Sequence, residues 1–272
     1  MTLTLPEKKI YGLIGRNGAG KSTLLAIIAS FQRPTEGSLT LGGESPYENE
    51  TLMPHVSFSY EKDYSEETAT VTSLIKTAEK YRPYFDLNYA EELMDRFNLP
   101  RKRPMKKLSK GMQSMVTVII GLASRAPISI FDESYSGMDA PAREIFYEEI
   151  IKEYETHPRT FILSTHLVSE MDHLFEDVIF LHEGRIMIHE SMESITEKAV
   201  FVHGRKENVL AWSNDKKVLD QKSFGPTLTA LLLHAPSREE RKQAEQSGLD
   251  ISPASLQDLF IHMTKEENAH VE

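Results

Sequence analysis

The chain has 272 residues, of which 26% are charged and 40% hydrophobic, and its formal net charge at pH 7 is −10. This composition is typical of a globular protein with one large and one small domain, and the acidic balance disfavours duplex nucleic acid as a partner. The sequence contains no cysteine, which excludes disulfides, thiol catalysis and cysteine-bound metal. Its start has no signal-peptide pattern, and the longest apolar run, at 116–123, is too short to cross a bilayer.

The first motif is a glycine-rich loop, GRNGAGKST at 15–23, between a predicted strand, KIYGLI at 9–14, and a predicted helix. The helix is indicated by apolar residues at helical spacing, namely Leu24, Ile27, Ile28 and Phe31. The loop fits the pattern G-x-x-x-x-G-K-[ST], whose glycines let backbone N–H groups face a phosphate. We expect Lys21 to reach the β- and γ-phosphates and the Ser22 hydroxyl to bind Mg²⁺. The predicted nucleotide-binding residues of this loop are Gly15, Arg16, Asn17, Gly18, Ala19, Gly20, Lys21, Ser22 and Thr23.

The stretch from about 62 to 125 is predicted to form an inserted helical subdomain. Within it, YAEELMDRFNLP at 89–100 places Leu93, Met94 and Phe97 on one helical face. The basic run RKRPMKK at 101–107 fits a solvated face, or else a surface that meets lipid or steers nucleotide.

A second phosphate-type element, LSKGMQ at 108–113, opens the next predicted helix. Ser109 and Gly111 lie at the N-terminus of that helix, a position that favours anions. The residues alone leave two explanations open: the chain binds two nucleotides, or one nucleotide is held by two different chains.

Two further predicted strands end in residues suited to the same chemistry. ISIF at 128–131 is followed by Asp132 and Glu133, and TFILST at 160–165 is followed by His166. Ligands bind at the carboxyl ends of parallel strands. We therefore expect Asp132 to hold Mg²⁺, Glu133 to orient or deprotonate the attacking water, and His166 to donate a hydrogen bond to the γ-phosphate.

Together with SGMD at 136–139, these motifs resemble in kind and order those of the nucleotide-binding subunit of an ABC transporter, over about residues 3–195. The resemblance implies an α/β P-loop NTPase fold, with a mostly parallel sheet flanked by helices, and ATP and Mg²⁺ as cofactors. In this family two nucleotide-binding domains pack head to tail, and the signature of one closes over the nucleotide of the other. The resemblance therefore places Ser109, Gly111 and Asp139 against the ATP of a partner.

Several positions depart from the family pattern. Glu61 stands where the family usually has a glutamine that binds Mg²⁺, although a register shifted by one places Tyr60 there. Ser134 replaces a proline, and Lys110 replaces a glycine, either adding a cation near the phosphates or pointing to solvent, which is favoured. The chain also starts late relative to the family, without the family's N-terminal strand and adenine-stacking aromatic. Either its true start lies upstream, which is favoured, or its recognition of the base is weak.

The nucleotide-binding domain is predicted to span 1–195 and to close with a hairpin at 177–190. Residues 196–272 are predicted to form a small α+β extension, with strand-like runs at 199–204, 208–213 and 229–235 and a helix at 238–246. A last helix would carry Leu256, Phe260 and Met263 on one face, and Trp212 is expected to be buried. The form of the extension resembles the C-terminal segment of ABC-2 exporters. The alternative is that it only packs against the rest of the chain.

The leading interpretation is an ATPase subunit that powers a separate transmembrane permease, most simply a bacterial ABC-2 exporter. It implies a second ATPase subunit, identical or different, no nucleic acid, and a place on the cytoplasmic face of the cell membrane through the permease alone. A soluble ABC protein acting on ribosomes or DNA fits poorly, because the chain has one cassette and no heptad tract. A dimerisation switch without turnover stays open, although Glu133 and His166 favour hydrolysis.

Overall fold

The computed structural model describes residues 1–266, which divide into two compact units. The first unit comprises 1–166 and 173–187, and the second comprises 167–172 and the chain from 188 onward. This division lies a few residues before the predicted domain boundary at 195, which stays a prediction.

A six-stranded sheet organises the first part of the chain. Its strands are β1 (Ile10–Ile14), β2 (Val56–Tyr60), β3 (Ile128–Asp132), β4 (Thr160–Thr165), β5 (Asp177–His182) and β6 (Arg185–Ser191). They lie in the order β2-β3-β4-β1-β5-β6, and the first five are parallel. β5 and β6 are joined at Glu183 and Gly184, which both have positive φ, as the hairpin pattern predicted. The predicted α/β fold class is confirmed.

Five helices accompany this sheet: α1 (Lys21–Ile28), α2 (Val71–Tyr81), α3 (Leu87–Arg96), α4 (Lys110–Ala123) and α5 (Ala140–Thr156). Leu25 and Ile28 of α1 pack on the sheet in a buried cluster that includes Tyr11 of the central strand β1. β1 is buried along its whole length, which explains its unbroken apolar sequence. The predicted helical face was wrong at Phe31, which is 58% exposed because α1 ends at Ile28.

The region predicted as a helical subdomain contains α2, α3 and α4. α3 begins where the Asp86 side chain accepts a hydrogen bond from the backbone N–H of Tyr89, a typical N-cap. The predicted apolar face is confirmed, because Leu93, Met94 and Phe97 are all buried. The buried hydroxyl of Tyr89 donates to Glu149 of α5 at 2.7 Å, so a polar contact ties α3 to α5.

The second unit contains a four-stranded antiparallel sheet in the order β10-β7-β9-β8. Its elements, in chain order, are α6 (Val168–Met171), α7 (Met192–Lys198), β7 (Ala199–Arg205), α8 (Lys206–Ser213), β8 (Lys217–Phe224), β9 (Thr227–Leu233), α9 (Arg238–Gln246), β10 (Asp250–Pro253) and α10 (Leu256–Glu266). Its core is formed by side chains of the sheet and of α8 and α9. The separate α+β character predicted for this region is present.

The expectations for the second unit need correction at several positions. The run at 208–213 was predicted as a strand but lies in α8, because its apolar residues pack on β7 and β9 at helical spacing. β8 was missed, since only its Leu219 is buried and its other residues are half-buried or exposed, including the apolar Phe224. Trp212 is only half-buried. On α10 the predicted Leu256 is buried, whereas Phe260 and Met263 are only half-buried.

Candidate functional site

The glycine-rich loop connects the end of β1 to the start of α1, as the motif predicted. Gly18 and Gly20 have φ values of 83° and 102°, a left-handed conformation that non-glycine side chains rarely adopt. A Cβ on Gly15 would lie 2.7 Å from the backbone oxygen of Leu181, so this position also requires glycine. The loop therefore has a backbone shape that only these glycines permit.

Lys21 is the buried cation of the site. The residue is only 5% exposed, and Nζ lies 2.8 Å from the backbone oxygen of Gly15. Nζ also lies 3.2 Å from Oε1 of Glu133, which brings the loop and the end of β3 together. The lysine is therefore held at the bottom of the loop and beside a carboxylate, where a bound polyphosphate would meet it.

Asp132 and Glu133 lie at the carboxyl end of β3 and face different neighbours. Asp132 is 8% exposed and accepts a hydrogen bond from the hydroxyl of Ser164 on the adjacent strand β4. Glu133 has a φ of 46°, a conformation that is uncommon for a residue with a side chain and often occurs at functional sites. Its backbone N–H donates to the same Ser164 hydroxyl at 3.1 Å. One buried serine therefore fixes both acids.

His166 follows β4 and lies at the same edge of the sheet. Its Nδ1 is 3.1 Å from Oε2 of Glu133, so the carboxylate lies between the histidine on one side and Lys21 on the other. Lys21 and His166, predicted from separate motifs, thus both contact Glu133. The hydroxyl of Tyr135 is 2.6 Å from that of Thr165, which joins the segment after β3 to the end of β4.

Lys21, Asp132 and Glu133, but not His166, line an open cavity of about 540 Å³. The cavity is lined by loop residues, by the acids and by the end of β2, namely Arg16, Asn17, Gly18, Gly20, Lys21, Ser22, Thr23, Tyr60, Glu61, Asp132 and Glu133. Both Tyr60 and Glu61 therefore reach the cavity, so the two registers proposed for the glutamine position stay open. The hydroxyl of Ser22 and the carboxylates of Asp132 and Glu61 are oxygen donors of the type that Mg²⁺ prefers.

Lys110 does not simply point to solvent, as had been favoured. Although the side chain is 62% exposed, Nζ lies 2.6 Å from Oε1 of Glu61. The serine that replaces proline after the acids also has a contact of its own. Ser134 is buried, and its hydroxyl donates to the backbone oxygen of Ser59 at 2.7 Å. This bond joins the segment after β3 to the end of β2, next to Glu61.

The LSKGMQ element forms the start of α4 and packs against the SGMD segment. Ser109 is the N-cap of α4, and its hydroxyl accepts a hydrogen bond from the N–H of Met112 at 3.2 Å. A Cβ on Gly111 would lie 2.3 Å from the backbone oxygen of Gly137, so the two segments touch directly. Asp139 caps α5 by accepting from the N–H of Ala142 at 3.0 Å. Ser109, Gly111 and Asp139 are absent from the lining of the cavity described above.

Sequence reasoning missed two serines that organise this region. Ser164 connects Asp132 with Glu133, and Ser114 of α4 donates to the backbone oxygen of Ser136 at 2.6 Å. A serine inside an apolar strand or helix has no spacing signal of its own. In the case of Ser164, the available signal was its position near the end of a strand, two residues before His166.

The fold and the site define a P-loop ATPase, and the comparison with protein families gives its class. Residues 1–136, half of the chain, match the family described as ABC transporter. The chain therefore belongs to the ABC transporter family and is an ATP-binding and ATP-hydrolysing subunit.

Curated relatives support this assignment along most of the chain. The ABC transporter ATP-binding protein YtrB of Bacillus subtilis (strain 168) is 22% identical over 269 residues, covering 96% of this chain and 90% of YtrB. NatA of the same organism is 28% identical, covering 72% of this chain and 82% of NatA. The lantibiotic transport ATP-binding protein SrtF of Streptococcus pyogenes is also 28% identical, covering 71% of this chain and 83% of SrtF.

Solved structures support the fold. A dimeric post-hydrolysis state of the ATP-binding cassette MJ0796, bound to ADP and Pi, matches with a TM-score of 0.60 at 22% identity, covering 70% of this chain and 88% of that one. An ATP-binding subunit of an ABC transporter matches with a TM-score of 0.59 at 24% identity, covering 70% of this chain and 81% of the other. No helix within residues 1–266 is long and apolar enough to span a membrane.

Proposed function

We propose that this chain binds and hydrolyses ATP to power a separate transmembrane permease, and that the transport is export. The observation that carries the proposal is the convergence of Lys21 and His166 on Glu133, from distant parts of the sequence. Nζ of Lys21 lies 3.2 Å from Oε1 of Glu133, and Nδ1 of His166 lies 3.1 Å from Oε2. Export rests on the similarity to the lantibiotic transport ATP-binding protein SrtF, which is 28% identical over 71% of this chain.

The loop and the acids would hold Mg-ATP in the cavity. The backbone N–H groups of residues 15–23 and the Lys21 ammonium would bind the phosphates, because both are donors concentrated at a helix N-terminus. Ser22, Asp132 and Glu61 would hold Mg²⁺, which supplies charge neutralisation at the phosphates when bound. Within residues 1–266 no cluster of three or more His, Asp or Glu forms a metal site alone. Mg²⁺ commonly uses one or two carboxylates together with phosphate oxygens.

Glu133 is suited to act on the attacking water. Its carboxylate is held by Lys21 on one side and His166 on the other, and its backbone is fixed by Ser164. A carboxylate fixed in this way can orient a water and accept its proton. His166 does not line the cavity, but its side chain is 49% exposed and contacts Glu133, which does. It would donate a hydrogen bond to the γ-phosphate of a bound nucleotide.

The signature residues would complete the site of a second subunit. Ser109 and Gly111 lie at the start of α4, where helix polarity favours an anion, but they do not line the cavity of their own chain. A head-to-tail dimer, with an identical or a different ATPase subunit, would place them on the partner's ATP. The permease would then hold this assembly at the cytoplasmic face of the cell membrane, with no direct lipid contact by this chain.

Phosphate release by the purified chain tests the proposal. We expect Mg-dependent ATP hydrolysis that Lys21→Ala abolishes and that Glu133→Gln lowers by about 10²–10⁴-fold. Glu155→Gln is the matched control, because Glu155 is an exposed acid on α5 that is remote in sequence from the motifs. A Glu133→Gln protein that turned over at the wild-type rate would refute the assigned role.

A further inference from the structure

Glu61, one of the two candidates for the family's glutamine position, forms an ion pair with Lys110, which stands where many family members have glycine. Glu61 follows β2 and Lys110 is the first residue of α4, 49 positions later, yet their charged atoms lie 2.6 Å apart. Neither position needs a charge for the fold, since both side chains are more than half exposed, at 51% and 62%. Because Glu61 is acidic and Lys110 is basic, we infer that the two charges act together.

Each member of the pair belongs to a different functional element. Glu61 lines the cavity that also contains Lys21 and Asp132. Lys110 stands between Ser109 and Gly111, and its Cγ lies 3.3 Å from the place that a Cβ on Gly137 would occupy. The ion pair therefore links the chain's own nucleotide cavity to the elements that pack at the start of α4.

We propose that Lys110 is a positioning residue for Glu61, and that their ion pair is a latch that binding of Mg-nucleotide opens. The proposal rests on the function proposed above and adds to it how the two sites communicate. The Glu61 carboxylate binds either the Lys110 ammonium or a divalent cation in the cavity, and the two cations compete for it. Opening the latch frees the Lys110 ammonium at the start of α4, where it adds positive charge beside Ser109.

The latch makes the nucleotide cavity and the start of α4 thermodynamically linked. If a metal ion in the cavity weakens the ion pair between Glu61 and Lys110, then the ion pair weakens metal binding by the same factor. Exposed ion pairs are weak, so the effect on metal affinity is about 1.5- to 5-fold. An effect of this size tunes a two-site response without preventing nucleotide binding.

The test is a Mg²⁺ titration of the monomeric full-length chain in the presence of a fluorescent ATP analogue, mant-ATP. Lys110→Gln should lower the half-saturating Mg²⁺ concentration by about 1.5- to 5-fold, because Glu61 is then free to bind the metal. Binding of mant-ATP in excess EDTA should not change. In a Glu61→Gln background, Lys110→Gln should have no further effect on the Mg²⁺ dependence, as a double-mutant cycle requires for a direct interaction.

Lys107→Gln is the matched control, because it removes the same charge three residues earlier from an exposed lysine. The latch is overturned if Lys110→Gln leaves the half-saturating Mg²⁺ concentration unchanged. It is also overturned if Lys110→Gln shifts that concentration equally in the Glu61→Gln background, or changes mant-ATP binding in EDTA, since Lys110 would then act through its general charge. These results leave the proposed function standing if wild-type chain binds Mg-mant-ATP. A wild-type chain that did not bind Mg-mant-ATP would instead contradict the proposed function itself. So would a Lys21→Ala chain that still bound it.

Discussion

Lys21 Nζ and Glu133 Oε1 lie 3.2 Å apart, although 112 positions separate the two residues in the chain. The lysine leads helix α1 out of the glycine-rich loop, and the glutamate follows strand β3. The two meet because β1 and β3 run parallel, so the ends of both strands lie at one edge of the sheet. The sheet thus converts two local motifs into one electrostatic site.

The hydroxyl of Ser164 offers a first test of how this site is fixed. Replacing Ser164 by alanine removes the donor to Asp132 and the acceptor for the Glu133 N–H, both at a fully buried position. We expect ATP hydrolysis to fall by about 10- to 100-fold, as is usual when a residue that orients metal-site carboxylates is lost. We also expect the free energy of unfolding to fall by about 1–3 kcal/mol.

Steady-state phosphate release and urea unfolding measure these two effects. Ser73→Ala, an exposed serine on α2, is the control and should change neither quantity. Unaltered hydrolysis in Ser164→Ala would mean that the two acids are positioned by other contacts.

Gly111 tests the contact between the start of α4 and the SGMD segment. An alanine there would place a Cβ 2.3 Å from the backbone oxygen of Gly137, so the two segments must separate. We expect Gly111→Ala to abolish ATP-dependent dimerisation in a Glu133→Gln background, where hydrolysis does not remove the nucleotide. Binding of ATP to the monomer should be retained, because Gly111 does not line the cavity.

Gly121→Ala is the matched control for this prediction. It overpacks the same helix, with a Cβ 2.3 Å from the hydroxyl of Ser59, but lies about three turns from Gly111. Light scattering should show a dimer for the Gly121→Ala protein and a monomer for the Gly111→Ala protein. If both variants behaved alike, general destabilisation would explain the effect.

Tyr89 tests the polar contact between α3 and α5. Burial is the main cause that raises the pKa of the Tyr89 phenol far above its ordinary value, and the hydrogen bond to Glu149 adds to it. The hydroxyl therefore remains protonated and donates to Glu149. Tyr89→Phe removes this donor from a carboxylate whose side chain is 2% exposed. We expect the free energy of unfolding to fall by about 1–3 kcal/mol, measured by urea denaturation.

Tyr81→Phe provides the comparison, because the Tyr81 side chain is 72% exposed and its hydroxyl can bond to water. Equal stability of Tyr89→Phe and Tyr81→Phe would show that the buried hydrogen bond contributes nothing measurable.

Much of the site was predictable because its residues follow buried strands. The glycine-rich loop, Asp132, Glu133 and His166 all follow short apolar runs, and a parallel sheet places such positions together. The contact between Glu61 and Lys110 was not predictable, although both residues had been singled out. It depends on how α4 packs beside the end of β2, and no local pattern encodes that distance.

The second unit was predicted less well, for a reason visible in its sequence. A short apolar run such as NVLAWS at 208–213 has too few residues to separate a helical from a strand period. β8 is an edge strand with charged residues such as Lys217 and Lys222, which are typical of protected sheet edges but hide the strand pattern.

ATP-dependent dimerisation of the Glu133→Gln protein, measured by light scattering beside wild type and Glu155→Gln, tests the central claim most directly. We expect a stable dimer of the Glu133→Gln protein with Mg-ATP. Wild type and Glu155→Gln should remain monomers, because they hydrolyse the nucleotide held between Lys21 and the partner's signature. A Glu133→Gln protein that binds Mg-ATP but stays monomeric would contradict formation of both sites from this chain alone. A wild-type dimer equally stable with Mg-ATP would contradict the role of Glu133 in hydrolysis.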